Sequence, residues 1–312
     1  MLKEEDSLSI RNSYRALSYT LSLINEDIMI DAILDAVIDS LKLLPFLFIT
    51  YLLMEYMEEK LGDKSKAALK KTGNVGPLWG SVLGIFPQCG FSVTASSMYA
   101  GRVITMGTLI AVFLSTSDEM LPILISEAVS PVIIGKILAI KVFIAMLAGF
   151  AVDIVLRVVL HKKEEEVDIH HFCEHEHCSC GQGILKPAIR HTLSIFAFIL
   201  IVTAVLNIVI EFVGFDVLGN TVFSVPVVGE LIAGLVGLIP NCGASVVITT
   251  LYLNGVLGFG TTMCGLLVNS GVGILVLFRV NEDRKNNITI LGIIYLVGVI
   301  AGLILDLFGV AV

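Results

Sequence analysis

The chain has 312 residues, 56% of them hydrophobic and 15% charged, with a mean hydropathy of +0.91. Soluble domains carry about a quarter charged residues, so a water-soluble globular fold is excluded. A net charge of −8 and a pI of 5.2 exclude a basic surface for nucleic acid.

Residues 1–30 open with acidic residues and read as an amphipathic surface helix, not as a signal peptide. Apolar runs of near-spanning length follow at 41–57, 142–160, 193–210 and 288–305. The 28 glycines suit close helix packing in a bilayer. Between the runs, two words interrupt the apolar sequence: FPQCGF at 86–91 and IPNCGA at 239–244.

Cys89 and Cys242 are separated by 153 positions. At that same offset Gly84 meets Gly237, Ser92 meets Ser245, Tyr99 meets Tyr252, Gly107 meets Gly260, Ser117 meets Ser270 and Asp153 meets Asp306. The chain therefore reads as two homologous halves, 31–160 and 184–312, joined by a linker at 161–183. Basic loop residues mark the cytoplasmic side. The 60–71 loop holds five lysines and its counterpart at 213–224 none; 126–132 holds no basic residue and 279–285 holds three. The bias reverses twice, as it must when the second half is inserted upside down. The expected fold is an all-α polytopic membrane protein of two inverted five-segment repeats. Each has a re-entrant hairpin, turning in the first half at Pro87–Gly90, and a broken helix, there at 103–125.

Inverted repeats with discontinuous helices are the architecture of secondary transporters, whose substrates bind near the midplane. Irregular backbone at membrane depth is tolerated where protein or a water-filled cavity surrounds it. The two breaks are expected to meet, so that Gln88, Cys89 and Ser92 face Asn241, Cys242 and Ser245. The plainer alternative is two kinked helices with cysteines packed as small hydrophobes. Within the broken span, Ser115, Thr116, Ser117, Asp118 and Glu119 stand at repeat positions that include Asn269, Ser270 and Gly271. Intramembrane carboxylates mark ion or proton pathways by default. Asp118 and Glu119 are coupling candidates, as are Asp153 and Asp306, for which a structural role is the equal alternative. Asp39 and His191 occupy roughly matching starts of each half and are weaker proton-carrier candidates.

The linker HKKEEEVDIHHFCEHEHCSCGQG holds five of six histidines and three of six cysteines. Imidazole with thiolate favours zinc, copper, nickel or cobalt. His170, His171, Cys173, His175, His177, Cys178 and Cys180 read as a flexible metal-binding tract, since they match no fixed finger spacing. Flanking Arg157, Lys162, Lys163, Lys186 and Arg190 put the tract on the cytoplasmic side, where thiols stay reduced.

The two P-x-C-G breaks, the STSDE segment at 115–119, the Asn269-Ser270 pair and the His/Cys linker together resemble the ten-transmembrane heavy-metal exporters. These are bacterial proteins labelled arsenic efflux proteins or manganese transporters. The resemblance covers the chain from about residue 30 onward. It implies a multi-pass protein of the bacterial cytoplasmic membrane. A hairpin followed by a broken helix is also similar, at the level of fold alone, to arsenite and dicarboxylate carriers.

The leading expectation is a proton-coupled secondary-active exporter of a metal or metalloid ion. A divalent cation such as manganese or zinc is favoured, because carboxylates in a membrane need a charge partner. Arsenite is the first alternative, with Cys89, Cys242 and Cys264 as thiols. An organic anion carrier is weaker, because Arg102 at the hairpin end is the one candidate arginine. A metal-responsive sensor or a Cys89–Cys242 redox protein is a third. No P-loop and no catalytic spacing points to an enzyme. No cofactor is expected beyond a transition metal on the linker. The partners are the ion, protons and the bilayer, with an oligomer left open.

Overall fold

A computed structural model describes residues 33–53 except 35, 39 and 46, together with 56, 75–86, 89–117, 119–159, 185–213 and 227–310. The amphipathic segment expected at 1–30 and the 161–183 linker lie outside these residues. Among the described residues every regular element is helical.

The first half contains α1 (Ala36–Leu53), α2 (Gly76–Leu83), α3 (Cys89–Ala100), α4 (Met106–Ser115), α5 (Met120–Ser126) and α6 (Pro131–Ile154), which continues as a π-helical turn to Val159. The second contains α7 (Leu185–Val213), α8 (Val228–Gly237), α9 (Cys242–Leu253), α10 (Phe259–Val268), α11 (Gly273–Val280) and α12 (Arg284–Leu307). Among the described residues six helical stretches are long and apolar enough to cross a membrane: α1, α4 with α5, α6, α7, α10 with α11, and α12. The 12-residue α3 and α9 rise about 18 Å. That is short of a hydrocarbon core of about 30 Å.

Local sequence explains where these helices begin. Pro77 and Pro131 occupy first-turn positions of α2 and α6, where the missing N–H costs nothing. The Thr105 hydroxyl accepts from the Thr108 amide at 3.1 Å to start α4. The Asn241 side chain accepts from the Gly243 amide at 2.9 Å to start α9. Asp283 accepts from the Asn286 amide at 3.1 Å to start α12. Each fills an orphan donor of a first turn.

Helices α3, α4 and α6 recur as α9, α10 and α12 with both bounds displaced by the offset that separates Cys89 from Cys242. Packing recurs with them. Helices α2, α4 and α6 contact one another, and so do α8, α10 and α12. Gly107 lies against the Gly149 carbonyl in the first set, and Gly260 against the Gly302 carbonyl in the second. Paired glycines let two backbones approach with no side chain between them.

Between the halves, α3 packs on α11 and α9 packs on α5. Helices α3 and α9 thus each rest on the second piece of an interrupted apolar stretch, α11 and α5 respectively. Burial follows this arrangement. Met106–Ser126 is 71% buried and Phe259–Val280 78%, whereas Pro131–Val158 and Leu185–Ile208 are each 28% buried. The interrupted spans form the centre and the continuous helices the perimeter. Perimeter residues such as Phe143, Ile201 and Leu296 are exposed on the outside, as side chains facing acyl chains are.

Candidate functional site

Cys89 and Cys242 are the first residues of α3 and α9. Their sulfurs stand 3.0 Å apart and neither is in a disulfide. Two helix N-termini, each with orphan amides and partial positive charge, therefore converge on two sulfurs. Hydroxyls one turn along are arranged alike in both halves. Ser92 donates to the Cys89 carbonyl and Ser245 to the Cys242 carbonyl, each at 2.8 Å. Ser96 and Thr249 then donate to the carbonyls of Ser92 and Ser245. Back-bonding of this kind satisfies a hydroxyl donor inside an apolar bundle and leaves its lone pairs available to a ligand.

Asn241 caps α9, and its amide also donates to Asn207 Oδ1 on α7 at 2.6 Å. Its repeat counterpart Gln88 lies outside the described residues, as does Pro87. Ser92 rests against Gly273, and the Ser96 hydroxyl shares its one proton between the Ser92 and Gly273 carbonyls, the latter at 2.7 Å. The thiol pair is thereby joined to the break between α10 and α11.

That break holds two of the residues singled out in the sequence. Asn269 and Ser270 are buried, Asn269 Oδ1 accepts from the Gly271 amide at 2.9 Å, and Asn269 Nδ2 has no acceptor. Gly271 has φ +55°, a left-handed conformation that favours glycine. At the matching break between α4 and α5, Ser115, Thr116 and Ser117 are buried. Their hydroxyls donate to the carbonyls of Ala111, Val112 and Ser115. Glu119 is half-buried at the start of α5 and caps no amide. Asp118 lies outside the described residues.

A buried cation that the sequence reading passed over sits between the breaks. Lys141 of α6 is 1% exposed. Its ammonium donates to the carbonyls of Thr116, which ends α4, and Leu266, near the end of α10. Carbonyls at helix C-termini lack intrahelical donors and carry partial negative charge, so one ammonium satisfies both interrupted spans. Only an arginine had been weighed as a buried cation. Arg102 is in fact exposed, in a left-handed turn after α3.

The aspartates matched across the repeat do comparable work. Asp153 accepts from the Gly107 amide at 2.9 Å and from the Thr105 hydroxyl at 2.8 Å. Asp306 accepts from the Gly260 amide at 2.8 Å. Both hold the first turn of a central helix. A second acid was also missed: Glu230 of α8 is 2% exposed and directs its carboxyl at that of Asp306. Cys264 does not join the other two thiols. Its sulfur donates to the Glu230 carbonyl oxygen at 3.1 Å. Among the described residues no three His, Cys, Asp or Glu side chains converge on a metal-sized site. His191 is buried and stacks on Tyr51 at 5.5 Å, while Asp39 and the seven linker residues lie outside the described region.

Differences across the repeat carry the signal that would have found the missed residues. Lys141 stands opposite Ile294, and Glu230 opposite Pro77. Charged residues that only one half retains are maintained against the cost of the membrane interior.

An all-α architecture with six helical stretches long and apolar enough to cross a membrane, among the described residues, is that of a polytopic membrane protein. The profile of the ArsP_2 family, described as "Putative, 10TM heavy-metal exporter", matches residues 25–229 and 218–311. The chain belongs to this family. No curated protein and no solved structure matches the chain. A transporter family accords with a non-enzymatic function.

Proposed function

We propose that the chain is a secondary-active transporter that exports a metal or metalloid ion, with Cys89 and Cys242 at the centre of its substrate site. The carrying observation is the 3.0 Å approach of the two sulfurs at the starts of α3 and α9. A two-thiol site flanked by Ser92, Ser245 and Asn241 suits a soft or borderline ion, since thiolates select such ions over hard cations. This shifts the preference toward zinc-like cations or trivalent arsenic and away from manganese. The oxygen-rich manganese reading draws on Gln88, Asp118, Glu119, Asn241, Asn269 and backbone carbonyls, whereas the sulfur reading leans on the approach of the two thiols.

In this reading the halves are inserted in opposite senses. Helices α2–α3 and α8–α9 are re-entrant hairpins whose turns meet at the thiols. Ser115, Thr116, Ser117, Asp118 and Glu119 and the Asn269–Ser270 turn line the path on either side. Lysine-rich 60–71 and the 161–183 linker face the cytoplasm of a bacterial cell, and the linker's His and Cys residues deliver or buffer the ion. Outward movement is driven by protons moving inward.

The test is flux in proteoliposomes under an imposed proton gradient, comparing zinc, manganese and arsenite. Flux of zinc or arsenite that both Cys89→Ser and Cys242→Ser abolish supports the thiol site. Manganese flux that ignores both substitutions but is lost in Asp118→Asn with Glu119→Gln would return the site to oxygen ligands. No flux of any of the three would overturn the export reading.

A further inference from the structure

The two halves build the same helix start at α4 and at α10, but they finish it differently. In the first half Asp153 caps the Gly107 amide, and its other oxygen takes a hydrogen bond from the Thr105 hydroxyl. In the second half Asp306 caps the Gly260 amide in the same way. The residue at the Thr105 position is now Gly258, with nearly the same backbone, φ −69° and ψ 161° against −76° and 162°. No hydroxyl is offered from there. The residue at the Pro77 position is Glu230, whose carboxyl takes up the place beside Asp306. A neutral donor on one aspartate has been replaced by a second acid.

Glu230 is 2% exposed and its Oε2 has no hydrogen-bond donor. The groups that face it are Asp306 from α12, the Thr261 hydroxyl of α10 at 3.4 Å from Oε1, and the backbone amides of Val227 and of Glu230 itself. The Cys264 thiol of α10 bonds its backbone carbonyl. Gly302 of α12 also comes close, since a Cβ there would lie 3.3 Å from Glu230 Cγ. Two carboxyls side by side offer a proton a donor and an acceptor at one place. Asp306 is exposed whereas Glu230 is buried behind it, so the pair runs from the surface inward.

We propose that Glu230 is the site of the coupling proton, and that Asp306 hands it the proton from water at the non-cytoplasmic end of α12. The step is a proton transfer alone. Water gives a proton to the Asp306 carboxylate, the Asp306 carboxyl gives it to the Glu230 carboxylate, and Glu230 releases it inward. The proposal rests on the export reading for its driving role and on the Glu230–Asp306 contact for its site.

Two readouts on the full chain test it. The first is infrared spectroscopy of the purified protein in detergent at neutral pH. A carboxylic C=O band that shifts in deuterated water is expected, and Glu230→Gln removes it. Asp306→Asn, whose side-chain oxygen still caps Gly260, keeps the band but slows its deuterium shift. A band unchanged by Glu230→Gln overturns the proposal. The second is zinc and arsenite flux in proteoliposomes. Glu230→Gln is expected to retain flux down the ion's own gradient and to lose flux driven by a pH gradient. Retention of pH-driven flux would overturn it. If wild type carries neither ion, the export reading falls, and the infrared band alone decides whether Glu230 holds a proton.

Discussion

Lys141 donates to the carbonyl of Leu266 at 3.0 Å, across 125 positions of sequence, and the same ammonium reaches the carbonyl of Thr116. One side chain thus holds the ends of both interrupted spans. Lys141→Met keeps much of the volume but leaves two buried carbonyls without a donor, at about 1–3 kcal/mol each. Thermal unfolding in detergent should show a markedly lower midpoint. Lys141→Arg should recover little, because a planar guanidinium does not occupy the place of a compact ammonium. An unchanged midpoint for Lys141→Met would refute the clamp.

The thiol pair predicts a redox trap. A mild oxidant should consume Cys89 and Cys242 together and link their peptides, as mass spectrometry of the digest would reveal. Cys264, bonded to Glu230, should stay reduced. Because the link ties a residue of one half to a residue of the other, ion flux should stop on oxidation and return with dithiothreitol. Oxidation that leaves flux intact would mean that the two helix ends need not separate during transport.

At the first-half helix start, Thr105→Ala should lower stability by about 1 kcal/mol, the usual worth of an N-cap. Asp153→Ala should cost more, since it strands the Gly107 amide and the Thr105 hydroxyl together. In the second half the reciprocal change is permitted. A Cβ at Gly258 would meet only Asp306 Oδ1, at 4.0 Å. Gly258→Thr should therefore stabilise the protein by a few tenths of a kcal/mol. It should also weaken pH-driven flux, because Asp306 gains a neutral partner. Unfolding midpoints and flux, measured on the same preparation, check both parts.

The seam between halves is close at one point in particular. A Cβ on Gly273 would lie 2.6 Å from Ser92 Cβ. Gly273→Ala should cost about 1–3 kcal/mol through overpacking. Gly292→Ala, where a Cβ meets nothing within 4 Å, should be neutral or slightly stabilising. Equal effects of the two substitutions on unfolding would show that the seam yields.

What could be read without coordinates was whatever the two halves share. The P-x-C-G words marked irregular turns, with the chain returning through 91–101, and helices begin there at Cys89 and Cys242; the common offset pointed to the breaks near Ser117 and Ser270. What escaped was whatever the halves do not share. Lys141 lies in an apolar helix beside Lys136 and looks like part of a basic flank, while Glu230 looks like the end of a loop. Nothing local distinguishes a lysine that snorkels to the surface from one that donates to carbonyls of two distant segments. The partners of Lys141 are 25 and 125 positions away, and only folding brings them together.

The crossing of α3 onto α11 bears on how the molecule is made. Ser96 has the Ser92 carbonyl within its own helix from the start, but the Gly273 carbonyl lies 177 positions downstream. At a synthesis rate of about 5–20 residues per second, that interval is roughly nine to thirty-five seconds. For that time the first half sits in the bilayer with a helix face that α11 has yet to cover. Membrane proteases and chaperones therefore meet a half-finished molecule in every round of synthesis. A variant that weakens the later seam, such as Gly273→Ala, lengthens this exposure, so its first effect in a cell would be on abundance.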